Sequence, residues 1–442
     1  MNPPEFSQLV SPYFNAGSVG PADEGLAPFI VNELAPARQR WRVAVVTETY
    51  PPEINGVANT VAKVVDGLRA RDHTVQLVRP RQWVLDRPDS TVDVNLMLTQ
   101  GLTIPMYKHL RMGLPCKNAL VKLWSLRRPD LVHIATEGPL GWSALQAAIK
   151  LRLPVCSDFR TNFQAYSRFY GIGWLQKPIM AYLRKFHNAC HCTMVPTDAL
   201  RHQLESMGLK NLAVIARGVD TQLFTPAKRS DALRRQWGLA PGDVAVLHVG
   251  RLAPEKNLAA LAVAYQRIQR VQPRARLVVV GDGPSRAELK ARCPDAFFAG
   301  FQSGEALASH YASSDMFVFP SLTETYGNVV PEAMASGLAV VAYDDAAAGQ
   351  LIFHRRSGAL ASPGDEVGFA MLSAEVSIQE DLRQNWGASA RVQMLENSWD
   401  AVLRGIEATY ASTIVHANSP QPDFLQPWVQ PSLANSDFLA GG

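Results

Sequence analysis

MFVFPSLTETYGNVVPEAMASGLAVVAYD, residues 316–344, reads as strand, loop, helix and strand again. MFVFP and LAVVAYD are apolar runs of strand length, and near-continuous apolar strands belong to parallel sheets covered on both faces. Between them, Pro331 lacks an N–H and clashes with the preceding turn, so it cannot lie deep inside a helix. A helix opening near Asn328 puts Pro331 in its first turn, where the N–H has no helical partner anyway. The unit is β-α-β, with a Gly- and Thr-rich loop at the carboxyl end of its first strand.

The same grammar extends in both directions. VAVLHVG (244–250), RLVVVG (276–281), AFFAG (296–300) and GALASP (358–363) complete one series of strands. An earlier series holds RVAVVTE (42–48), TVQLVRP (74–80), LVHIAT (131–136), PVCSDF (154–159), HCTMVP (191–196) and NLAVIARG (211–218). Helical stretches separate the strands, and residues 221–243 break the rhythm as a linker. The expectation is two α/β, Rossmann-like domains, at 41–220 and 244–413. Residues 1–40 form a loosely ordered leader and 414–442 a peripheral tail. At 442 residues the chain exceeds what one core usually serves, which agrees.

Composition narrows the class. Apolar residues make up 47% and charged residues 19%, which is globular. No apolar run approaches the ~20 residues of a membrane span, and the start lacks a basic region followed by an apolar core. The five cysteines follow no zinc or disulfide spacing. Cys190-His191-Cys192 reads as a strand with buried thiols rather than a metal site. The expected compartment is reducing and cytoplasmic, with the protein peripheral on the inner face of the cell membrane. Residues 1–220 hold 25 Lys or Arg against 17 Asp or Glu, a net +8, whereas the remainder carries −4. The first half is expected to face something anionic, a membrane surface rather than nucleic acid.

In open α/β sheets, ligands bind outside the carboxyl ends of the strands, so each following loop is a candidate. After MFVFP, Glu324 lies in the loop with Tyr326, and Glu332 lies one turn inside the helix. The amides of Gly327, Asn328, Val329 and Val330 would point into a cleft and suit a phosphate or diphosphate. A carboxylate accepts hydrogen bonds from two neighbouring hydroxyls, which sugars and riboses offer. A diphosphate with a hydroxylated ring on either side is a sugar nucleotide. The plainer alternative makes Glu332 a helix cap and leaves Glu324 solvated. GRLAPEKN, 250–257, weighs against it, because Arg251 and Lys256 can neutralise charge on a departing diphosphate. GDGPSR, 281–286, lacks the third glycine of a nicotinamide-dinucleotide fingerprint; Gly283 is expected to bring a tight turn close to a nucleotide. In TYPPEINGVANT, 49–60, Asn55 and Gly56 form a turn that could approach the donor from across the cleft.

Together these landmarks resemble the GT-B glycosyltransferases, in particular the large retaining family four, over roughly residues 42–410. Its most specific element is the pair Glu324 and Glu332, seven residues between them. That resemblance implies a GT-B architecture, α/β, with two Rossmann-like parallel sheets facing across a cleft and the last helix returning to the N-terminal domain. It implies that Glu324 holds the sugar hydroxyls, Glu332 the ribose, and Arg251 and Lys256 the diphosphate, with Gly56 closing on it. The wording around Glu324 is similar to bacterial GDP-mannose-dependent α-mannosyltransferases and to glycosyl- and sulfoquinovosyl-diacylglycerol synthases. The implied reaction moves a mannose- or glucose-type hexose, with retention, from a GDP- or UDP-linked sugar to a lipid acceptor.

Where lipid mannosyltransferases of this family tend to carry a histidine, SDFRTNFQAYSRFYG (157–171) has Arg160. Arginine cannot serve as a general base, but it can bind an anionic group. His133 and Glu137, in VHIATEGPLG (132–141), stand at another strand end, on the acceptor side. The segment 104–128, with Lys108 and Arg111, holds six Lys or Arg and no acid, and apolar residues interleave with them. It is expected to lie in an anionic headgroup layer. No Asp-x-Asp pair occurs, so neither a metal nor another cofactor is expected. Rival readings are a GT-B epimerase or phosphorylase, a non-catalytic nucleotide-sugar-binding protein and, most remote, a Rossmann dehydrogenase.

Overall fold

The computed structural model describes residues 39–53, 55–83, 86, 95–104, 107–160 and 176–419, with the side chains of 104, 107–110 and 176 left aside. The expected leader up to residue 38, residues 161–171 and the chain beyond 419 lie outside the described residues.

Among the described residues, nine strands occupy the first half: β1 Arg42–Val46, β2 Thr74–Pro80, β3 Leu96–Thr99, β4 Gly101–Ile104, β5 Tyr107–Gly113, β6 Leu131–Ile134, β7 Val155–Asp158, β8 Cys192–Val195 and β9 Leu212–Val214. Seven of them form a parallel sheet in the order β3-β2-β1-β6-β7-β8-β9. The second half holds β10 Ala245–Val249, β11 Arg276–Val280, β12 Phe297–Gly300, β13 Met316–Phe319, β14 Ala339–Tyr343 and β15 Gly358–Ala361. These form a parallel sheet ordered β12-β11-β10-β13-β14-β15. All twelve strands expected from apolar runs are present.

The runs are apolar without alternation because each strand feeds two cores. Ala44 and Val46 of β1 pack with Leu120, Trp124 and Leu140 on one face. Val43 and Val45 pack with Val61, Val65 and Leu68 on the other. Those last three lie on the helix Gly56–Ala70, at the i, i+4, i+7 spacing of one helical face.

The segment 104–128 differs from the expected interfacial element. Its first part is β5, which pairs antiparallel with β4 as a hairpin. Its second part is the helix Lys117–Leu126, whose Leu120 and Trp124 are sealed in the core. Their apolar area is spent on the sheet, so this helix has no free apolar face of the expected kind. Residues 221–243 are also more than a connection. They include the helix Asp231–Gln236 and place Trp237 and Leu239 in the core of the second sheet.

The helix Trp399–Asn418 runs through the expected start of the tail and packs on the first sheet. Buried Ile406 and Tyr410 lie against the β1 side of that core, each contributing about 1.5–3 kcal/mol of apolar burial. A Cβ on Gly218 would lie 2.8 Å from the Trp399 backbone, so only glycine admits this crossing.

Strand order reverses between β1 and β6 and again between β10 and β13. At such switch points neighbouring loops diverge and leave a crevice at the carboxyl ends.

Candidate active site

The loops following β1, β6, β7, β10 and β13 line one cavity of about 1210 Å³. On the β13 side, Ser321 Oγ donates to Glu324 Oε1 at 2.8 Å, and Lys256 Nζ pairs with the same oxygen. Arg251 borders the cavity, with its guanidinium 3.6 Å from Glu255 Oε1. Thr323 Oγ1 donates to the Glu255 carbonyl at 2.9 Å, which ties the two loops together. Glu324 and Lys256 are thus held in direct contact, with side-chain exposures of 16% and 14%.

The helix Val329–Ala335 opens next to them, with Asn328 at its N-cap and Pro331 in its first turn. Gly327, Asn328 and Val329 line the cavity. The Val330 amide does not belong with them, because it donates to the Gly327 carbonyl at 3.1 Å. Gly327 sits at φ +89°, a left-handed turn that glycine adopts without strain. Glu332 stands behind this turn and does not line the cavity. Its Oε2 accepts from the Tyr311 hydroxyl at 2.9 Å, and burial raises its carboxyl to about 7.

Across the cavity, Asn55 caps the helix Gly56–Ala70. Its Oδ1 accepts from the Ala58 amide at 2.8 Å and its Nδ2 donates to Thr49 Oγ1 at 2.7 Å. Both polar ends of Asn55 are engaged in shaping the turn. A Cβ on Gly56 would stand 3.4 Å from Asn328 Nδ2, so this bare backbone faces the β13 loop directly.

Besides Glu332, two further expected residues do not border the cavity. Gly283 does not border the cavity. Its missing Cβ makes room for the Leu252 carbonyl, which a side chain would approach to 2.4 Å. The glycine serves loop-on-loop packing, and the Ser285 amide confirms the contact by donating to Leu252 O at 2.9 Å. His133 points away from the cavity and is 1% exposed. It bridges Asp158 Oδ2, 2.8 Å from Nε2, and the Tyr410 hydroxyl, 2.7 Å from Nδ1. A strand alternates its faces, and His133, in register with Val45, takes the face packed by the helix Trp399–Asn418.

Arg160 and Glu137 do line the cavity. Arg160 Nε donates to Asp158 Oδ2 at 2.7 Å. Burial works to raise the Asp158 carboxyl, but the charges of Arg160 and His133 outweigh it and hold it down at about 2. Glu137 is buried, and its Oε1 has no hydrogen-bond partner. Burial first, with the nearby Asp158 and Glu48 carboxyls, pushes it up to about 8. Arg111 lines the cavity and donates to the Arg81 carbonyl at 3.2 Å, whereas the Lys108 side chain lies outside the described residues.

Several cavity residues escaped the sequence reading. Glu48, just past β1, accepts the Gly113 amide at 2.8 Å and the Leu140 amide at 2.9 Å, fixing the hairpin against the helix Pro139–Leu151. Arg217 follows β9, donates to Asn328 Oδ1 at 3.2 Å and lies 5.4 Å over the Tyr326 ring. The Tyr326 hydroxyl in turn donates to the Arg217 carbonyl at 3.1 Å. Both positions are at strand carboxyl ends, the signal that picked out the other loops.

Two Rossmann-like sheets that open their switch points onto a shared cavity make the GT-B frame of a glycosyltransferase. HepE of Anabaena, solved with UDP and glucose, shares that frame: the TM-score is 0.66 at 18% identity, over 84% of this chain and 100% of that one. Residues 54–223 match Glycosyltransferase Family 4 and residues 229–393 match Glycosyl transferases group 1. Over 366 residues the chain is 35% identical to the "GDP-mannose-dependent alpha-mannosyltransferase" of Mycobacterium tuberculosis, spanning 82% of this chain and 94% of that protein. It is 26% identical to the "Alpha-monoglucosyldiacylglycerol synthase" of Streptococcus pneumoniae over 76% and 78% of the two chains. The chain belongs to glycosyltransferase family four, and it is a hexosyltransferase. Both relatives named are transfer enzymes or synthases, which disfavours the epimerase, phosphorylase and non-catalytic readings.

Proposed function

We propose that this enzyme moves a mannosyl residue, with retention, from GDP-mannose to a hydroxyl of a lipid acceptor at an anionic membrane surface. The observation that carries the reading is the Lys256–Glu324 pair held beside the Gly327–Val329 turn. A cation, bare amides and a carboxylate side by side suit a diphosphate joined to a hydroxylated ring. The mannosyl choice is supported by the M. tuberculosis relative and the lipid acceptor by the pneumococcal one.

In this reading Glu324 accepts hydrogen bonds from the hexose hydroxyls. Lys256, Arg251 and the turn amides hold the diphosphate, and Gly56 lets backbone approach it. Glu332, which accepts from Tyr311 behind the turn, holds that turn in place from outside the cavity. The bond between C1 and the phosphate oxygen breaks with its electron pair going to the diphosphate, which these cations stabilise. The acceptor hydroxyl attacks from the same face and passes its proton to the departing phosphate oxygen. Glu137 and Arg111 stand on the acceptor side. No described helix is long and apolar enough to cross a membrane, and peripheral attachment at the inner face through the basic first half fits that.

A thermal-shift screen of GDP, UDP and their hexose conjugates tests the donor, since a ligand of the native state raises the melting temperature with its occupancy. GDP-mannose should give the largest shift, followed by transfer of mannose to diacylglycerol-based lipid. Stabilisation by UDP-glucose alone would overturn the donor assignment.

A further inference from the structure

Arg217 is a cation with no carboxylate partner among the described residues. It touches the Asn328 side-chain oxygen and the Tyr326 ring, and the Tyr326 hydroxyl donates to its carbonyl. The other cations near it are already matched: Lys256 by Glu324, and Arg160 by Asp158, whose same oxygen also serves His133. Burial, followed by the charge of neighbouring Arg160, draws the Arg217 guanidinium down to about 10. Two guanidiniums therefore line the cavity after β7 and β9, and the Asp158 carboxylate pairs with only one of them, Arg160. A partly buried charge in such a place is costly unless it is paired. A guanidinium also presents a planar fork of donors suited to two oxygens at once. One neutral amide oxygen and a ring face leave that capacity largely unused.

We propose that Arg217, with Arg160 beside it, forms a second oxyanion subsite at the cavity floor, separate from Arg251 and Lys256, that takes a phosphate- or carboxylate-type group of a substrate. The oxyanion supplies the missing counter-charge. Because Arg217 also touches Asn328 and Tyr326, its occupancy stiffens the donor loop from the side of the first sheet. The subsite rests on this cavity being the transfer site, and it deepens that reading by requiring two anionic positions. The group has two possible sources, the donor diphosphate or an anionic acceptor.

Calorimetry on the full chain, with GDP and with inorganic phosphate as probes, separates the cases. Arg217→Gln removes the charge and keeps a donor for Asn328. If the group comes from the acceptor, inorganic phosphate binds the parent already saturated with GDP, and Arg217→Gln weakens that binding at least tenfold while GDP affinity stays. If it comes from the donor, GDP excludes phosphate and Arg217→Gln weakens GDP about tenfold. Unchanged affinity for both probes in a folded Arg217→Gln chain would overturn the subsite. Should that variant fail to fold, Arg217→Lys keeps the charge without the fork, and equal phosphate affinity in it and the parent would overturn the fork as the binding device. A parent that ignores GDP altogether would instead sink the donor reading, a separate result.

Discussion

Glu324 accepts from Ser321 and Lys256 on one oxygen, and the proposed reading gives its other oxygen to the sugar. Glu324→Gln keeps the shape and removes the charge that balances Lys256. Transfer should fall on the order of 100-fold, the scale of losing one preorganised electrostatic partner, while GDP still binds. Turnover within a few-fold of the parent would remove Glu324 from the sugar site. Glu137 carries a different consequence. Its carboxyl titrates at about 8 in the fold against 4.5 as the ordinary value. Between those values the folded chain holds more protons than the unfolded one, so stability falls as pH rises through that window. Glu332 adds the same sign up to about 7. Glu137→Gln cannot titrate, so its melting temperature should decline less between about pH 5 and 8. Parallel curves for parent and variant would show that Glu137 is not held protonated. Residues at the carboxyl ends of recognisable strands were legible in the sequence: Glu324, Arg251, Lys256 and Gly56 all border the cavity. His133 was misplaced because a strand of four residues gave no clue to which face its imidazole took. Arg217 was passed over because nothing in ARGVD distinguishes a buried cation from a solvated one.

Among elements, apolar runs revealed the strands well because buried parallel strands need no polar face. The hairpin of β4 and β5 was hidden, since its residues alternate basic and apolar as an interfacial helix also could. Close helix packing left a weaker trace, in glycines whose need is spatial. Gly387, on the helix Glu380–Glu396, is one such position. By helix propensity alone, alanine would stabilise it by about 1 kcal/mol. A Cβ there would instead meet the Gly337 carbonyl oxygen at 2.0 Å, a backbone atom that cannot rotate away. The clash should win: Gly387→Ala is expected to lose about 1–3 kcal/mol in urea unfolding. It should also disturb the helix Val329–Ala335, which ends against Gly337 and carries Glu332. Equal or greater stability in the variant would show that the two helices have room to part.

At the scale of the whole chain, the uneven charge gains a location. The positive first half presents the β4–β5 hairpin, where Leu102 pairs directly with Met112, so the two share a face. They are 55% and 37% exposed, and Trp83 is 46% exposed. Arg111 and Lys117 line the cavity close by in sequence, and Lys122 is exposed on the following helix. A short apolar face with cations beside the cavity suits an acceptor drawn from an anionic bilayer. On the proposed membrane reading, the inserting element would be the hairpin rather than the helix whose Leu120 and Trp124 are buried. Each cation near such a surface contributes about 1 kcal/mol, and added salt screens it. Replacing Arg111, Lys117 and Lys122 with Ser should therefore reduce cosedimentation with anionic vesicles severalfold at low salt, and 0.5 M salt, roughly a 4 Å Debye length, should do the same to the parent. Leu102→Ser with Met112→Ser should weaken the salt-resistant remainder. Parent and triple variant sedimenting alike at low salt would show that the positive half serves something other than a membrane.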